Sequence, residues 1–333
     1  MRAVTARKEA ERASAVVGID PVSTLARDVA EGLAEHPKRL PAEYHYDTLG
    51  SQLFEAICEL PWYTITRGER ALLERHAAAI MSEVGPAGTL VELGSGSGAK
   101  LSVLLSARPP GGRSPRVHLV DISAAALELS ALTLSKHAAV TVVGHESTYE
   151  VGLQRALDQR DGYGAALVLF LGSSLGNLNP EDARRFLKDI RTRCRPGDRL
   201  LLGADLVKPE PDLLLAYDDP LGVTAAFNKN VLARLNRELD ADFDLAQFDH
   251  RVVWNADASR VESYLESQVA QVVRLTGAGC CVHFAEGERI WTESSYKYEP
   301  ETLIERGELA GFVRQVQWIE TDTQFALTLF HTE

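Results

Sequence analysis

From residue 89 the chain alternates short apolar runs with segments of helical spacing. The runs fall at 90–93, 117–122, 140–143, 165–171 and 200–206, and helical patterns at 101–107, 124–137, 153–158 and 180–194 separate them. Unbroken hydrophobicity marks strands covered on both faces, so the alternation predicts a parallel, doubly wound α/β sheet with ligands beyond its carboxyl ends. Upstream, Val22, Leu25, Ala26, Val29 and Leu33 predict a helix over 22–34, and a second helix is expected at 70–84. Residues 1–15 read as a polar, mobile lead. After Asp205-Leu206-Val207-Lys208-Pro209 the rhythm stops. Helices around 213–217 and 227–239 and strand-like runs at 251–255, 261–267, 270–276 and 289–297 predict an α+β layer. Two alternating strands at 313–321 and 325–331 then close the sheet, so the α/β unit is interrupted by an insertion.

Composition narrows the function. The 333 residues, 45% hydrophobic and 25% charged, suffice for one large domain or two moderate ones. A net charge of −12 with no basic stripe argues against a nucleic-acid surface. No apolar run reaches the roughly 18 residues needed to span a bilayer. The lead, with Arg2, Arg7, Lys8, Glu9, Glu11 and Arg12, is not a secretion signal. Cys58, Cys194, Cys280 and Cys281 lack metal spacing, and the histidines are scattered, so no metal is expected. A cytoplasmic protein with reduced thiols, acting as a monomer, is the expectation.

Candidate chemistry centres on Val91-Glu92-Leu93-Gly94-Ser95-Gly96-Ser97-Gly98-Ala99-Lys100, a strand, a glycine turn and a helix start. Such a turn brings backbone amides close to a nucleotide. The G-x-G-x-G spacing, with Glu92 two residues ahead, resembles motif I of the S-adenosylmethionine (AdoMet) methyltransferases more than a dinucleotide fingerprint. Asp121 ends the second strand, where a carboxylate accepts ribose hydroxyls, and Ser123 is the better helix cap. Glu146-Ser147-Thr148-Tyr149 follows the third strand, at the expected adenine position. The Gly172–Asn177 loop after the fourth opens toward a methyl acceptor. Asn179 before Pro180 reads as a cap, which leaves the Asn177 amide free for an amino acid's carboxylate and amine. The tyrosines of the stretch from Tyr44 to Tyr63 read equally as core or as a ligand lid.

Five segments together resemble the histidine-specific Nα-methyltransferases of ergothioneine biosynthesis, from about residue 20 onward. They are Tyr46-Asp47-x-x-Gly50-Ser51-x-Leu53-Phe54, Glu92-x-Gly94-x-Gly96-x-Gly98, Leu171-Gly172-Ser173-x-x-Gly176-Asn177, the run from Asp219 to Asn228, and Thr292-Glu293-x-Ser295-x-Lys297-Tyr298. The resemblance implies a seven-stranded class I methyltransferase (Rossmann-like) sheet, with an α+β substrate-binding domain inserted between strands five and six. The domains would be 69–207 with 297–333 for AdoMet, and 16–68 with 208–296 for substrate. It implies AdoMet contacts from Glu92, Gly94, Gly96, Gly98, Lys100, Asp121, Thr148 and Tyr149. It also implies that Gly172, Asn177 and Tyr217 hold the substrate's α-amino and carboxylate groups, that Tyr46 and Tyr63 line the pocket, and that Glu293 and Ser295 read the imidazole. Tyr46 and Asn177 would orient the amine. Where the family usually has Met, this chain has Ser263, which would widen the pocket; where it usually has an acid, Thr148 stands near the adenine.

The activity so implied converts L-histidine to its trimethylbetaine, hercynine, in three transfers and leaves S-adenosyl-L-homocysteine. The same fold acting on another amino acid or a histidine derivative is the alternative. A silent AdoMet-binding module and an NAD oxidoreductase fit less well.

Overall fold

The computed structural model describes residues 21–84, 88–108, 115–137, 140–160 and 164–333, so the lead at 1–15 lies outside the described residues. α1 (Pro21–Ala34), a two-residue strand β1 (Lys38–Arg39) and a 3-10 turn at Ala42–His45 open the chain. α2 (Thr48–Cys58) is capped by Asp47, whose carboxylate accepts the Gly50 amide at 2.7 Å. α3 (Thr64–Val84) begins six residues before the sequence pattern suggests. Gly68 lies inside the helix, where Thr323 and Phe325 come so close that any Cβ would collide with them.

The alternating unit follows as β2 (Thr89–Leu93), α4 (Ala99–Ser106), β3 (Arg116–Asp121), α5 (Ala124–Leu134), β4 (Thr141–Glu146), α6 (Tyr149–Asp158), β5 (Ala166–Phe170), α7 (Pro180–Arg193) and β6 (Arg199–Asp205). The insertion contains α8 (Glu210–Tyr217), α9 (Val223–Glu238), β7 (Phe248–Asn255), β8 (Arg260–Ser267), β9 (Gln271–Leu275), β10 (Cys280–Phe284) and β11 (Arg289–Tyr296). The chain returns through α10 (Pro300–Leu309), β12 (Val313–Glu320) and β13 (Phe325–His331).

The seven-stranded sheet has the order β12-β13-β6-β5-β2-β3-β4. Strands β2 to β6 are parallel, and β13 runs antiparallel to both β6 and β12. This is the class I methyltransferase sheet, interrupted between its fifth and sixth strands as the sequence indicates. The order in which strands are added reverses between the parallel neighbours β2 and β5, so the turns after these strands face a common cleft. Leu90, Leu167, Leu169 and Leu201 pack on one face with Leu72, Leu73 and Leu104. Val91, Val168, Phe170 and Leu202 pack on the other with Leu153, Phe186 and Leu187.

A third cluster (Leu25, Val29, Val231, Leu235, Phe248, Phe284, Ile290) joins α1 to the insertion. β11, β8 and β7 pair antiparallel, and β1 joins β11 in parallel with Lys38 opposite Ile290. Three elements have no counterpart in the sequence reading, β1, β10 and α10. β10 pairs only with β9 and is exposed at every second residue, while α10 carries only three large apolar side chains. Among the described residues no helix is long and apolar enough to cross a membrane.

Candidate active site

The turn after β2 is built by Asp121 at the end of β3. Its carboxylate accepts the amides of Ser95 (3.0 Å), Gly96 (3.4 Å) and Ser123 (2.9 Å). Burial raises its pKa and these amide bonds oppose the rise. Ser123 caps α5 by accepting the Ala126 amide at 3.3 Å, the division of labour the sequence indicates. Gly98 begins α4 at φ 72°, and a Cβ there would sit 3.0 Å from Ser130 Cα, so only glycine fits. Glu55 of α2 lies over the turn, its Oε1 3.8 Å from where a Cβ on Gly96 would be.

Glu92 lies beneath this turn, 2% exposed, and its Oε2 has no hydrogen-bond partner. Burial lifts its pKa to about 8 against the pull of Lys100. A buried, unpartnered carboxylate oxygen under a glycine turn fits an ammonium group, such as AdoMet's amino-acid end. The Tyr149 hydroxyl lies beside Gly94, 3.1 Å from where a Cβ would be, and its ring packs edge-on against Phe170. Thr148 is exposed and its side chain makes no capping bond to α6.

Glu69 is the residue the sequence reading missed on this side. Fully buried in α3, it accepts the Gly172 amide through both oxygens (2.8 and 2.9 Å) and pairs with Lys100 Nζ at 2.5 Å. Burial opposes protonation of Lys100, but Glu69 outweighs it and the ammonium's pKa rises. Gly172 takes φ 76°, and a Cβ would approach Lys100 Nζ to 3.0 Å. One carboxylate thus ties the turn after β2 to the loop after β5.

The acceptor side gathers around β11. Glu293, Ser295 and Lys297 alternate along one face. Ser295 Oγ and the Tyr217 hydroxyl are 2.8 Å apart, and Lys297 Nζ donates to both, at 3.0 and 2.8 Å. The ammonium also forms an ion pair with Asp205 Oδ2 at the end of β6, 3.0 Å away. Lysine and aspartate are at most 2% exposed. Burial opposes the Lys297 charge, and Asp205 and Tyr217 outweigh it and raise its pKa. Glu293 is pushed up by burial, with His45 and Lys297 pulling it back. Tyr46 and Tyr63 are pushed far up by burial, and Glu293 adds to both.

Rings enclose this face. Tyr46 meets Phe54 and Phe227 edge-on, Tyr63 meets Phe54 and Tyr217, and His45 stacks on Phe227. Asn228 carries the contact outward, with Oδ1 3.1 Å from His45 Nε2 and Nδ2 2.8 Å from His250 Nδ1. The tyrosines divide: Tyr46 lines the cleft, whereas Tyr63 is buried in the core beneath it and Tyr44 is core too, its hydroxyl donating to Asp28. Ser263 is buried on β8 directly across from Glu293. Asn177 ends the 3-10 turn Ser174–Asn177, is exposed, and has no side-chain hydrogen bond described for it. A cleft of about 540 Å³ runs between Tyr46, Leu49 and Gln52 on one wall and Ser123 and Ala124 on the other.

The expected residues thus form two groups, Glu92, Gly94, Gly96, Gly98, Lys100, Asp121 and Tyr149 at the turn, and Tyr46, Tyr63, Tyr217, Ser263, Glu293 and Ser295 across from it, with Gly172 between them. Lys297 and Asp205 were quoted in the sequence patterns but given no role. Their pairing joins residues far apart in the chain and leaves no local signal.

A family model described as histidine-specific, SAM-dependent methyltransferase matches residues 25–332. The chain belongs to this family. The histidine-specific methyltransferases similar to it include the histidine N-alpha-methyltransferase of Mycolicibacterium smegmatis, 41% identical over 306 residues that cover 92% of this chain and 94% of that protein. The same-named protein of Mycobacterium tuberculosis is 40% identical with the same coverage. Ergothioneine biosynthesis protein 1 of Neurospora crassa is 29% identical over 85% of this chain and 32% of its own length.

Proposed function

We propose that this chain transfers methyl groups from AdoMet to the α-amino nitrogen of L-histidine, three in succession, to give hercynine, the first step of ergothioneine biosynthesis. One observation carries the reading: Tyr46 lies within electrostatic reach of Glu293 and of Tyr217, which pairs with Ser295, and also of Tyr149, whose hydroxyl adjoins Gly94 of the glycine turn. The family match over residues 25–332 supports it.

When bound, AdoMet supplies an electrophilic methyl group on its sulfonium, and the protein's part is alignment. Glu92 would hold the cofactor's ammonium, Lys100 its carboxylate and Asp121 its ribose. Tyr217, Gly172 and Asn177 would hold the acceptor's backbone groups. The amine attacks as the neutral form, and an α-amine with a pKa near 8 supplies that form at neutral pH without a strong base. Tyr46, its hydroxyl pushed far up by burial and by Glu293, stays protonated there. It orients the lone pair as a neutral hydrogen-bonding group and does not act as a base. As methyls replace hydrogens the amine loses donors, and the ring's hold on Glu293 and Ser295 keeps the nitrogen in line.

Segments 69–207 and 297–333 would form the cofactor domain, and 16–68 with 208–296 the substrate domain. Pairing of β1 with β11 supports this division. A second reading, the amine of another amino acid or a histidine derivative, is favoured by Ser263 opposite Glu293, where a small side chain leaves room beside the ring site.

The test is mass spectrometry of products after incubation with AdoMet and each of the twenty amino acids in turn. A gain of three methyls on histidine alone is expected. Methylation of a different amino acid instead would favour the second reading.

A further inference from the structure

The hydrogens around Lys297 can be counted. Its ammonium donates to Tyr217 Oη and Ser295 Oγ, pairs with Asp205 Oδ2, and accepts a hydrogen from neither hydroxyl. The other Asp205 oxygen is taken by Lys208 at 2.6 Å. Tyr217 and Ser295 each accept from the same ammonium and share one further bond between them. Only one of the two hydroxyl hydrogens can occupy that bond, which leaves one hydrogen for a ligand. If Tyr217 donates to Ser295, Tyr217 has only lone pairs for a ligand carboxylate, and the contact is repulsive. If Ser295 donates to Tyr217, the tyrosine gives its hydrogen to the carboxylate and Ser295 shows the ring a lone pair. An amino-acid substrate therefore selects the second arrangement.

We propose that Lys297, held by Asp205, is a positioning residue that leaves Tyr217 and Ser295 a single free hydroxyl hydrogen between them, so that with the carboxylate taking it from Tyr217 the pocket binds the imidazole with one proton shared between ring and Glu293, and Ser295 accepting a ring N–H. Either the ring is an imidazolium against a carboxylate, or it is neutral against a protonated Glu293. The proton count is the same. The inference rests on histidine being the substrate. The titratable groups facing this pair are His45 and Tyr46 from the first aromatic stretch, Cys58 at the end of α2, Tyr63, Tyr217 on α8, and Lys297 with Asp205 behind it.

Hercynine is the probe, because its quaternary nitrogen does not titrate. Its binding is followed by calorimetry from pH 6.5 to 9.5 in buffers of different ionisation enthalpy, with S-adenosyl-L-homocysteine saturating the donor side. Binding is expected to take up close to one proton at the alkaline end, and the dissociation constant to rise about tenfold per pH unit there. Glu293→Gln is expected to abolish the uptake. Lys297→Met is expected to reduce it, since Ser295 then turns its hydrogen to the ring; the wild-type and Glu293→Gln results stand even if that variant fails to fold. Binding without proton uptake overturns this inference and leaves the histidine reading intact. Uptake that persists in Glu293→Gln overturns it as well, by placing the proton elsewhere. Absence of binding by both hercynine and histidine overturns the proposed substrate and this inference with it.

Discussion

Glu69 and Lys100 form an ion pair of 2.5 Å in which the acid is wholly buried and the lysine partly exposed. Because the same carboxylate holds the Gly172 amide, the cofactor turn and the acceptor loop share one anchor. Glu69→Ala is expected to cost about 3–5 kcal/mol in urea unfolding, since it strands a buried partner. Glu69→Gln keeps one acceptor for Gly172 and should cost less. In both, displacement of the loop should lower kcat/KM for the amino acid about 10²-fold. Unchanged kinetics in a folded Glu69→Gln enzyme would sever this link.

The Lys297–Asp205 pair makes a parallel prediction on stability alone. Either Lys297→Met or Asp205→Asn should destabilise by about 3–5 kcal/mol, Asp205→Asn by more because Lys208 also loses its partner. The double variant should recover part of the loss, as measured by thermal unfolding of all four proteins. Additive losses would show that the two side chains do not act as a pair.

Glu92 predicts how pH acts on the free protein and on cofactor binding. Its folded pKa of about 8 lies above the ordinary 4.5, so the stability it contributes is present below pH 4.5 and is lost as pH rises through 8. An ammonium beside it reverses the shift, so AdoMet binding should release a proton and tighten from pH 5.5 to 7.5, by up to about tenfold per unit. Glu92→Gln should flatten that rise in calorimetry. A wild-type affinity that does not change over this range would remove Glu92 from the cofactor's ammonium.

Glu293→Ala should remove a charge-assisted bond to the ring, about 1.5–3 kcal/mol, or roughly ten- to hundredfold in kcat/KM for histidine. AdoMet affinity, measured separately, should hardly move. Undiminished histidine turnover would contradict the role given to Glu293.

Much of this was legible in the chain because burial on both faces writes itself as continuous apolar runs, as at β2, β5 and β6. Glu92, Asp121 and the glycines were legible because each sits at a fixed distance from a strand end. What escaped was non-local. The start of α3 was hidden by Gly68, a residue required by the close approach of Thr323 and against its helix propensity. Glu69 and Lys297 escaped for a related reason, since each is defined by a partner on another element. β1, only two residues long, has no periodicity to read.

The place of β13 between β6 and β12 has a consequence for how the chain folds. Asp205 pairs with Phe325, and the whole insertion separates them. During synthesis β6 is complete long before its neighbour exists, and it presents an open, apolar edge until residues 325–331 emerge. The insertion can assemble its own sheet in that interval, so it ripens first while the older half waits. Chains that stop short of Phe325 should therefore aggregate through β6, even though every residue of the glycine turn has already been made.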